Sequence, residues 1–271
     1  MTKLLVFTDL HMLPEGRTII GLDAEARLAQ GLAHAARMHP DADRVILTGD
    51  LTHFGDEGSY RRLKQMLDGY PIPISMTIGN HDERDTFRSI FPDVAVDESG
   101  FVQEAIDLPD VRCLLLDTWI GLPRDHADHA MGMLCALRLD WLERELIRAG
   151  DKPVLIFLHH PPHDTGFVGM DAIKLSNGDA FYEVLSRFPT VRHIIAGHVH
   201  RTISGSHRGI PFSIFKSPLH QQPMPFDIDD TSSSVDEPGA YGILVVTPDG
   251  LLVHTEDFDV AERAARALDT P

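Results

Sequence analysis

The chain has 271 residues, 43% of them hydrophobic and 24% charged, with a formal net charge of −17. That length can bury a substantial core in one α/β unit, no stretch approaches the roughly 20 apolar residues that span a bilayer, and two cysteines make no disulfide framework. So acidic a balance excludes general affinity for a nucleic-acid duplex, which needs clustered Lys and Arg, while a small anionic substrate stays compatible where bound cations reverse the local field.

The first strand is predicted at residues 4–8, and Asp9-Leu10-His11 follows it. Its apolar run ends at Thr8, too short for a signal-peptide core, so a cytoplasmic protein without membrane association is expected. Leu22, Ala26, Ala29, Ala33 and Ala36 fall on one stripe at helical spacing. Residues 45–48 form a second strand running into Gly49-Asp50, and Glu57–Leu67 reads as a helix. A third strand, 74–78, ends at Gly79-Asn80-His81-Asp82. The strand at 113–117 carries Cys113 as a buried thiol. Residues 138–149 put Leu139, Leu142 and Leu146 on one helical face, and Gly150 stops that helix. Val154–Leu158 leads to His159-His160, residues 179–188 read as a helix, and 193–196 lead to Gly197-His198-Val199-His200. Residues 223–239, rich in Asp and Ser, read as a solvated loop. Strands at 242–246 and 251–258 form a hairpin around Thr247-Pro248-Asp249-Gly250. Without repeat or linker, one domain over 1–271 is expected, with a C-terminal hairpin or oligomerisation element in about 205–271.

Five of these segments put metal-ligand residues just past a predicted strand. In open α/β sheets the carboxyl ends of strands form the ligand crevice, so segments distant in sequence converge there. In Asp9-x-His11 and His198-x-His200 an extended backbone would turn both side chains the same way. The glycines before Asp50, Asn80 and His198 are expected to supply tight turns. Mixed carboxylate and imidazole donors suit Mn, Fe, Zn or Co better than Ca or Mg, which prefer oxygen. An isolated Asp-x-His is more often a turn carboxylate beside an unrelated histidine; five such segments in order leave little room for that reading.

The series Asp9-x-His11, Gly49-Asp50, Gly79-Asn80-His81-Asp82, His159 and Gly197-His198-x-His200 resembles the calcineurin-like metallophosphoesterase superfamily, from residue 4 to about 220. Gly49-Asp50-Leu51-Thr52, Gly79-Asn80-His81-Asp82 and His159-His160-Pro161-Pro162 look similar to its bacterial class III cyclic nucleotide phosphodiesterases and related glycerophosphodiesterases. The resemblance implies an α/β fold, a four-layer αββα sandwich of two mixed β-sheets flanked by helices. It implies that Asp9, His11 and His200 hold one metal ion, that Asn80, His159 and His198 hold another, and that Asp50 bridges them. His81 would stand beside the substrate and stabilise or protonate the leaving oxygen, with Asp82 orienting it. Elementary chemistry agrees: two cations about 4 Å apart clamp a phosphate and lower the pKa of a shared water, and Asn80 adds a donor without adding charge. An imidazole near the leaving alkoxide can supply a proton.

The expected reaction is binuclear-metal-dependent hydrolysis of a small phosphodiester by a metal-bound hydroxide, with a 3′,5′- or 2′,3′-cyclic nucleotide as substrate. The alternative is a glycerophosphodiesterase releasing glycerol 3-phosphate. A Ser/Thr protein phosphatase is disfavoured, since that family carries Asn-His-Glu where this chain has Asn80-His81-Asp82. A non-catalytic scaffold on the same fold is disfavoured because every expected ligand position is filled. His53, His160, His163 and His220 are candidate substrate contacts, and His126 and His129 read as solvated loop. Pocket walls are expected from residues 161–177 and the region after Ser217, and a homo-oligomer is expected.

Overall fold

A computed structural model describes residues 1–258; residues 259–271, the end of the expected domain, lie outside the described residues. In chain order the elements begin β1 (Thr2–Phe7), α1 (Ala24–Met38), β2 (Arg44–Thr48), α2 (Glu57–Leu67), β3 (Ile74–Thr77) and α3 (Arg84–Ile90). Then come β4 (Glu104–Asp107), β5 (Arg112–Leu116), α4 (Ala136–Ala149), β6 (Val154–Leu158), α5 (Val168–Ala172), α6 (Gly178–Leu185) and β7 (Val191–Ala196). The strands β8 (Ile203–His207), β9 (Ile210–Ile214), β10 (Ala240–Thr247) and β11 (Gly250–Asp257) follow.

The strands form two mixed sheets, ordered β11-β10-β1-β2-β3 and β4-β5-β6-β7-β9-β8. Parallel strands sit at the heart of each: β1, β2 and β3 in the first, β5, β6, β7 and β9 in the second. Alternation along each strand makes the layers, because successive side chains leave opposite faces. Leu4 and Val6 of β1 meet Leu155 and Phe157 of β6 in a core between the sheets. Leu5 and Phe7 face outward onto Leu28 and Leu32 of α1 and Leu63 of α2, while Ile156 and Leu158 face Leu142 and Leu146 of α4 and Phe181 of α6. Strands apolar on both faces therefore carry a sheet packed on both faces, and the result is the four-layer αββα sandwich.

Two expectations change and one holds. The α1 stripe is rotated: Ala26, Ala29 and Ala33 are exposed, and Ala24, Leu28, Leu32 and Ala35 are buried. Burying two leucines removes more apolar area than burying a row of alanines. Strands β8 and β9 were not expected, because Ser204, Gly205 and Ser206 carry no apolar alternation; β8 lies at a sheet edge, where such residues are tolerated. The expected hairpin forms, with β10 and β11 antiparallel from Ala240 opposite Asp257 to Thr247 opposite Gly250.

Phe157 is fully buried at the sheet–sheet seam. Phe157→Ala should lower unfolding free energy by about 3–5 kcal/mol, read as a fall in the urea midpoint at unchanged slope.

Candidate metal centre and active-site cavity

The parallel strands of both sheets end at one place, and the chain turns sharply on leaving them. Asp9, His11, Asp50, His198 and His200 all hold positive φ, between 46° and 71°. Non-glycine residues rarely occupy that region, and such strain collects where function over-determines the backbone. This corrects the extended-chain account of Asp9-x-His11 and His198-x-His200: left-handed turns, not strand alternation, aim these side chains. Hydrogen bonds hold the turns. The His11 N–H donates to the Asp50 carbonyl at 2.9 Å, and the Gly197 N–H donates to the His159 carbonyl at 3.0 Å. The His198 N–H donates to the Asp9 carboxylate at 3.0 Å.

The glycines divide by role. Gly49 has φ 99°, a turn closed to most residues. Gly79 and Gly197 are needed for room instead: a Cβ would lie 2.3 Å from Asp50 Oδ1 in one case and 1.9 Å from Thr8 Oγ1 in the other.

The side chains converge tightly. His11 Nε2 and His200 Nε2 are 3.1 Å apart, and Asp50 Oδ2 is 3.7 Å from His11 Nε2. His159 Nε2 lies 3.1 Å from Asn80 Oδ1, 3.3 Å from His198 Nδ1 and 3.3 Å from Asp50 Oδ1. Asp9 Oδ1 is 3.3 Å from His200 Nε2. The ring tautomers are set from behind. His159 Nδ1–H donates to the Thr48 carbonyl and His200 Nδ1–H to the His220 carbonyl, each at 3.0 Å. Both Nε2 atoms therefore turn lone pairs toward the cluster, the arrangement that outer carbonyls impose on metal-binding histidines. Facing lone pairs repel unless a cation stands between them, so the donor set fits transition-metal ions.

Electrostatics follow from burial and crowding. Burial would raise the Asp9 and Asp50 carboxyls, yet His200 beside Asp9 and His159 beside Asp50 hold them below the usual carboxylate range. Burial would lower His159, but Asp50 and Asp9 push it up to about 9. Burial and the neighbouring His159 push His198 down to about 3.

Above the cluster opens a cavity of about 460 Å³, whose floor includes His11, Asp50, Asn80, His198 and His200. His53, His81 and His220 line it too, and no Lys or Arg does among the described residues. His81 Nδ1–H donates to the His53 carbonyl at 2.9 Å, and its backbone N–H donates to Asp50 Oδ1 at 2.8 Å. Burial holds the His81 ring below its ordinary value. His220 is buried with both ring nitrogens lacking a partner among the described residues.

Other expected residues lie elsewhere. The structure does not bring His163 to the cavity: it stacks on His207 at 4.7 Å, and its Nδ1 is 2.8 Å from the Tyr182 hydroxyl, inside a small aromatic cluster. His160 sits behind His159 and His198, not against open space, with Nε2–H on the Ala130 carbonyl and Nδ1 accepting from Thr118 Oγ1 at 2.7 Å. Asp82 does not touch the His81 ring. It accepts from the N–H groups of Leu51, Thr52 and Gly79 and from the Tyr60 hydroxyl, at 2.9 to 3.1 Å. Asp82 thus locks together the two loops that carry Asp50 and Asn80, and the His53 carbonyl orients His81. Several cavity residues carry no metal-ligand signal in the sequence. Met170 and Ile173 fall in the expected wall segment 161–177, and Gln222 and the stretch 231–234 in the expected region after Ser217, whereas His129 comes from a segment read as solvated loop and Ile19 from one given no role.

Residues 2–202 match the profile of the calcineurin-like phosphoesterase family. The chain is 40% identical over 257 residues to a Rhodopseudomonas palustris protein named "Probable cyclic nucleotide phosphodiesterase", covering 94% of this chain and 92% of that one. It is 30% identical over 218 residues to a 3′,5′-cyclic adenosine monophosphate phosphodiesterase of Pseudomonas aeruginosa, covering 79% and 75%. A glycerophosphodiester phosphodiesterase of Enterobacter lignolyticus is 29% identical over 221 residues, covering 80% and 77%. Among solved structures, a dimetal phosphatase from Danio rerio superimposes with a TM-score of 0.68 at 16% identity, covering 95% of this chain and 96% of that one.

Two outcomes are expected. Asp82→Asn puts an amide N–H against backbone donors, and should weaken metal affinity about 10–100-fold and stability by about 1–3 kcal/mol, measured by metal titration and urea unfolding. The second concerns pH. His159, raised from 6.5 to about 9, stabilises the metal-free fold fully below 6.5, and that contribution is lost as pH rises through 9. Metal must displace the same proton, so it binds better as pH rises. The rise in Tm on adding manganese should therefore be larger at about pH 8 than at about pH 6; an equal rise at both would remove His159 from the metal-coupled groups.

Proposed function

The chain belongs to the calcineurin-like phosphoesterase family, and on that premise we propose that it is a metal-dependent phosphodiesterase acting on cyclic nucleotides. In this reading Asp9, His11 and His200 would hold one metal ion, Asn80, His159 and His198 would hold a second, and Asp50 would serve both. The 3.7 Å and 3.3 Å approaches of its two oxygens to His11 and His159 support that division. The donor set suits Mn, Fe, Zn or Co. When bound, such a pair would neutralise phosphate charge and make a nearby water easier to deprotonate.

The observation that carries the substrate reading is the chemistry of the cavity wall. None of its described lining residues is Lys or Arg, and the neighbouring Arg124 spends a terminal nitrogen on the His81 carbonyl, so a diester with one negative charge fits better than a more highly charged ester. It offers no Phe, Tyr or Trp and no carboxylate other than Asp50, so nothing cages the ammonium head of a glycerophosphodiester such as glycerophosphoethanolamine. Ile19, Met170 and Ile173 give an apolar surface, and Gln222 with the residues 231–234 gives a neutral polar one. A nucleoside presents both kinds of face. The relatives named cyclic nucleotide phosphodiesterases agree with this choice.

His81 acts on the leaving oxygen in this reading. Its Nδ1–H is committed to the His53 carbonyl, so Nε2 is the atom that can hold or give a proton. Because burial lowers its pKa, the protonated ring is a stronger acid than a free histidine.

The substrate reading is tested by turnover of 3′,5′-cyclic AMP, 2′,3′-cyclic AMP, glycerophosphoethanolamine and an aryl diester. A cyclic nucleotide should lead, and chelation should abolish turnover; preference for glycerophosphoethanolamine would overturn the assignment. His81→Ala should keep its metal and lose about 10²–10⁴-fold in kcat with an alkoxide leaving group, but far less with 4-nitrophenolate, which leaves without a proton. Equal losses on both substrates would remove His81 from that role.

A further inference from the structure

Residues 222–238 cross the cavity as a strap whose ends are tied together. Arg201, which follows His200, is buried; its Nε donates to the Gln222 carbonyl, and its terminal nitrogens grip the Glu237 carboxylate at 2.7 and 2.8 Å. Gln221 and Val235 exchange two backbone hydrogen bonds at 3.0 and 2.9 Å. Midway, the Val168 and Gly169 N–H groups at the start of α5 donate to the Phe226 and Ile228 carbonyls, at 3.0 and 3.2 Å. A Cβ on Gly169 would lie 2.7 Å from the Asp229 carbonyl oxygen, so the two backbones touch. A loop closed at its ends and pinned in the middle is held in place; the stretch is the solvated loop expected, with residues 224–232 mostly exposed, but one fastened at three points.

The tip of the strap lines the cavity with four consecutive hydroxyls, Thr231, Ser232, Ser233 and Ser234. Ser232 and Ser233 donate to the two oxygens of Asp230 at 2.6 Å each. With their hydrogens committed, they present oxygen lone pairs outward, which suits an amino group. The Thr231 and Ser234 hydroxyls have no side-chain hydrogen-bond partner among the described residues and can donate or accept. Met170, carried on the helix that pins the strap, supplies an apolar face beside them.

We infer that the hydroxyls of residues 231–234 bind the nucleoside part of a cyclic nucleotide, and that the strap separates nucleoside-bearing diesters from simple ones. The inference rests on the cyclic-nucleotide reading above. The metal-centre residues act on the phosphate common to all diesters, so they cannot make this distinction; a neutral wall that both donates and accepts can. None of the four hydroxyls is a candidate metal ligand, so their removal leaves the centre intact.

The test compares kcat/KM for 3′,5′-cyclic AMP and bis(4-nitrophenyl) phosphate in the metal-loaded full chain, for wild type, S234A and the triple variant S232A/S233A/S234A. The triple variant should lose about tenfold or more on cyclic AMP, mostly through KM, and S234A about threefold, while the aryl diester changes by less than about twofold. Parallel losses on both substrates, or no loss on cyclic AMP, would overturn the inference. If the triple variant fails to fold by thermal melting, S234A decides on the same criterion. A wild type that cleaves the aryl diester but no cyclic nucleotide sinks the substrate reading and this inference together. Wild-type cyclic AMP turnover with unmoved variants sinks the inference alone.

Discussion

Lone pairs from several loops must aim at one small space, and they repel one another until positive charge arrives. That constraint governs the cavity floor. His11 and His200 face each other through Nε2 at 3.1 Å, and His159 and His198 meet at 3.3 Å. Without metal a proton on His159, raised to about 9 beside Asp50, offsets part of that repulsion, and rigid attachment from outside the set keeps the aim. Carbonyls of Thr48 and His220 fix two rings from behind, and backbone N–H groups hold the Asp9 and Asp50 carboxylates. The left-handed turns at Asp9, His11, Asp50, His198 and His200 are the conformational cost of that aim. They persist because the two sheets behind them are packed on both faces and have no slack.

The same logic explains which buried polar groups serve chemistry and which serve architecture. Asp82 and His160 are as deeply buried as the candidate ligands, but each is saturated by neighbours, most of them on other loops. They transmit position. His220 is buried beside the cavity without partners of its own, and His81 keeps one nitrogen uncommitted, so both remain available to a ligand. The number of bonds already made separates these groups better than depth of burial does.

Much of this was legible in the sequence, and the gaps have physical causes. The buried parallel strands announce themselves as apolar runs, and each ends on a residue type that binds metal, so the convergence of Asp9, Asp50, Asn80, His159 and His198 could be anticipated. The reason for their aim could not be, because positive φ at a non-glycine residue leaves no mark in residue type. Gly79 and Gly197 looked like turn residues, whereas close approach is what excludes a side chain there. The partner of Asp82 was misjudged because adjacency to His81 in sequence was taken as contact, and the carboxylate instead reaches three backbone N–H groups. The stretch 231–234 has the composition of a solvated loop; what makes it a wall is Arg201, thirty residues upstream of its tip in round terms, and a pairing to α5 that no local pattern encodes.

The position of β1 in its sheet bears on how the molecule is made. That strand lies between β2 and β10, with Leu4 opposite Arg44 on one side and Leu244 on the other. The Asp9 turn that follows it is braced by the Ser217 hydroxyl at 2.7 Å and by His198. During synthesis β1 therefore waits, one edge unpaired, until β10 at Ala240–Thr247 has been made. The donor cluster spans Asp9 to His200, and the turn that holds Asp9 also needs Ser217. A nascent fragment ending before β10 would expose an apolar strand edge where the folded protein has the centre of a sheet.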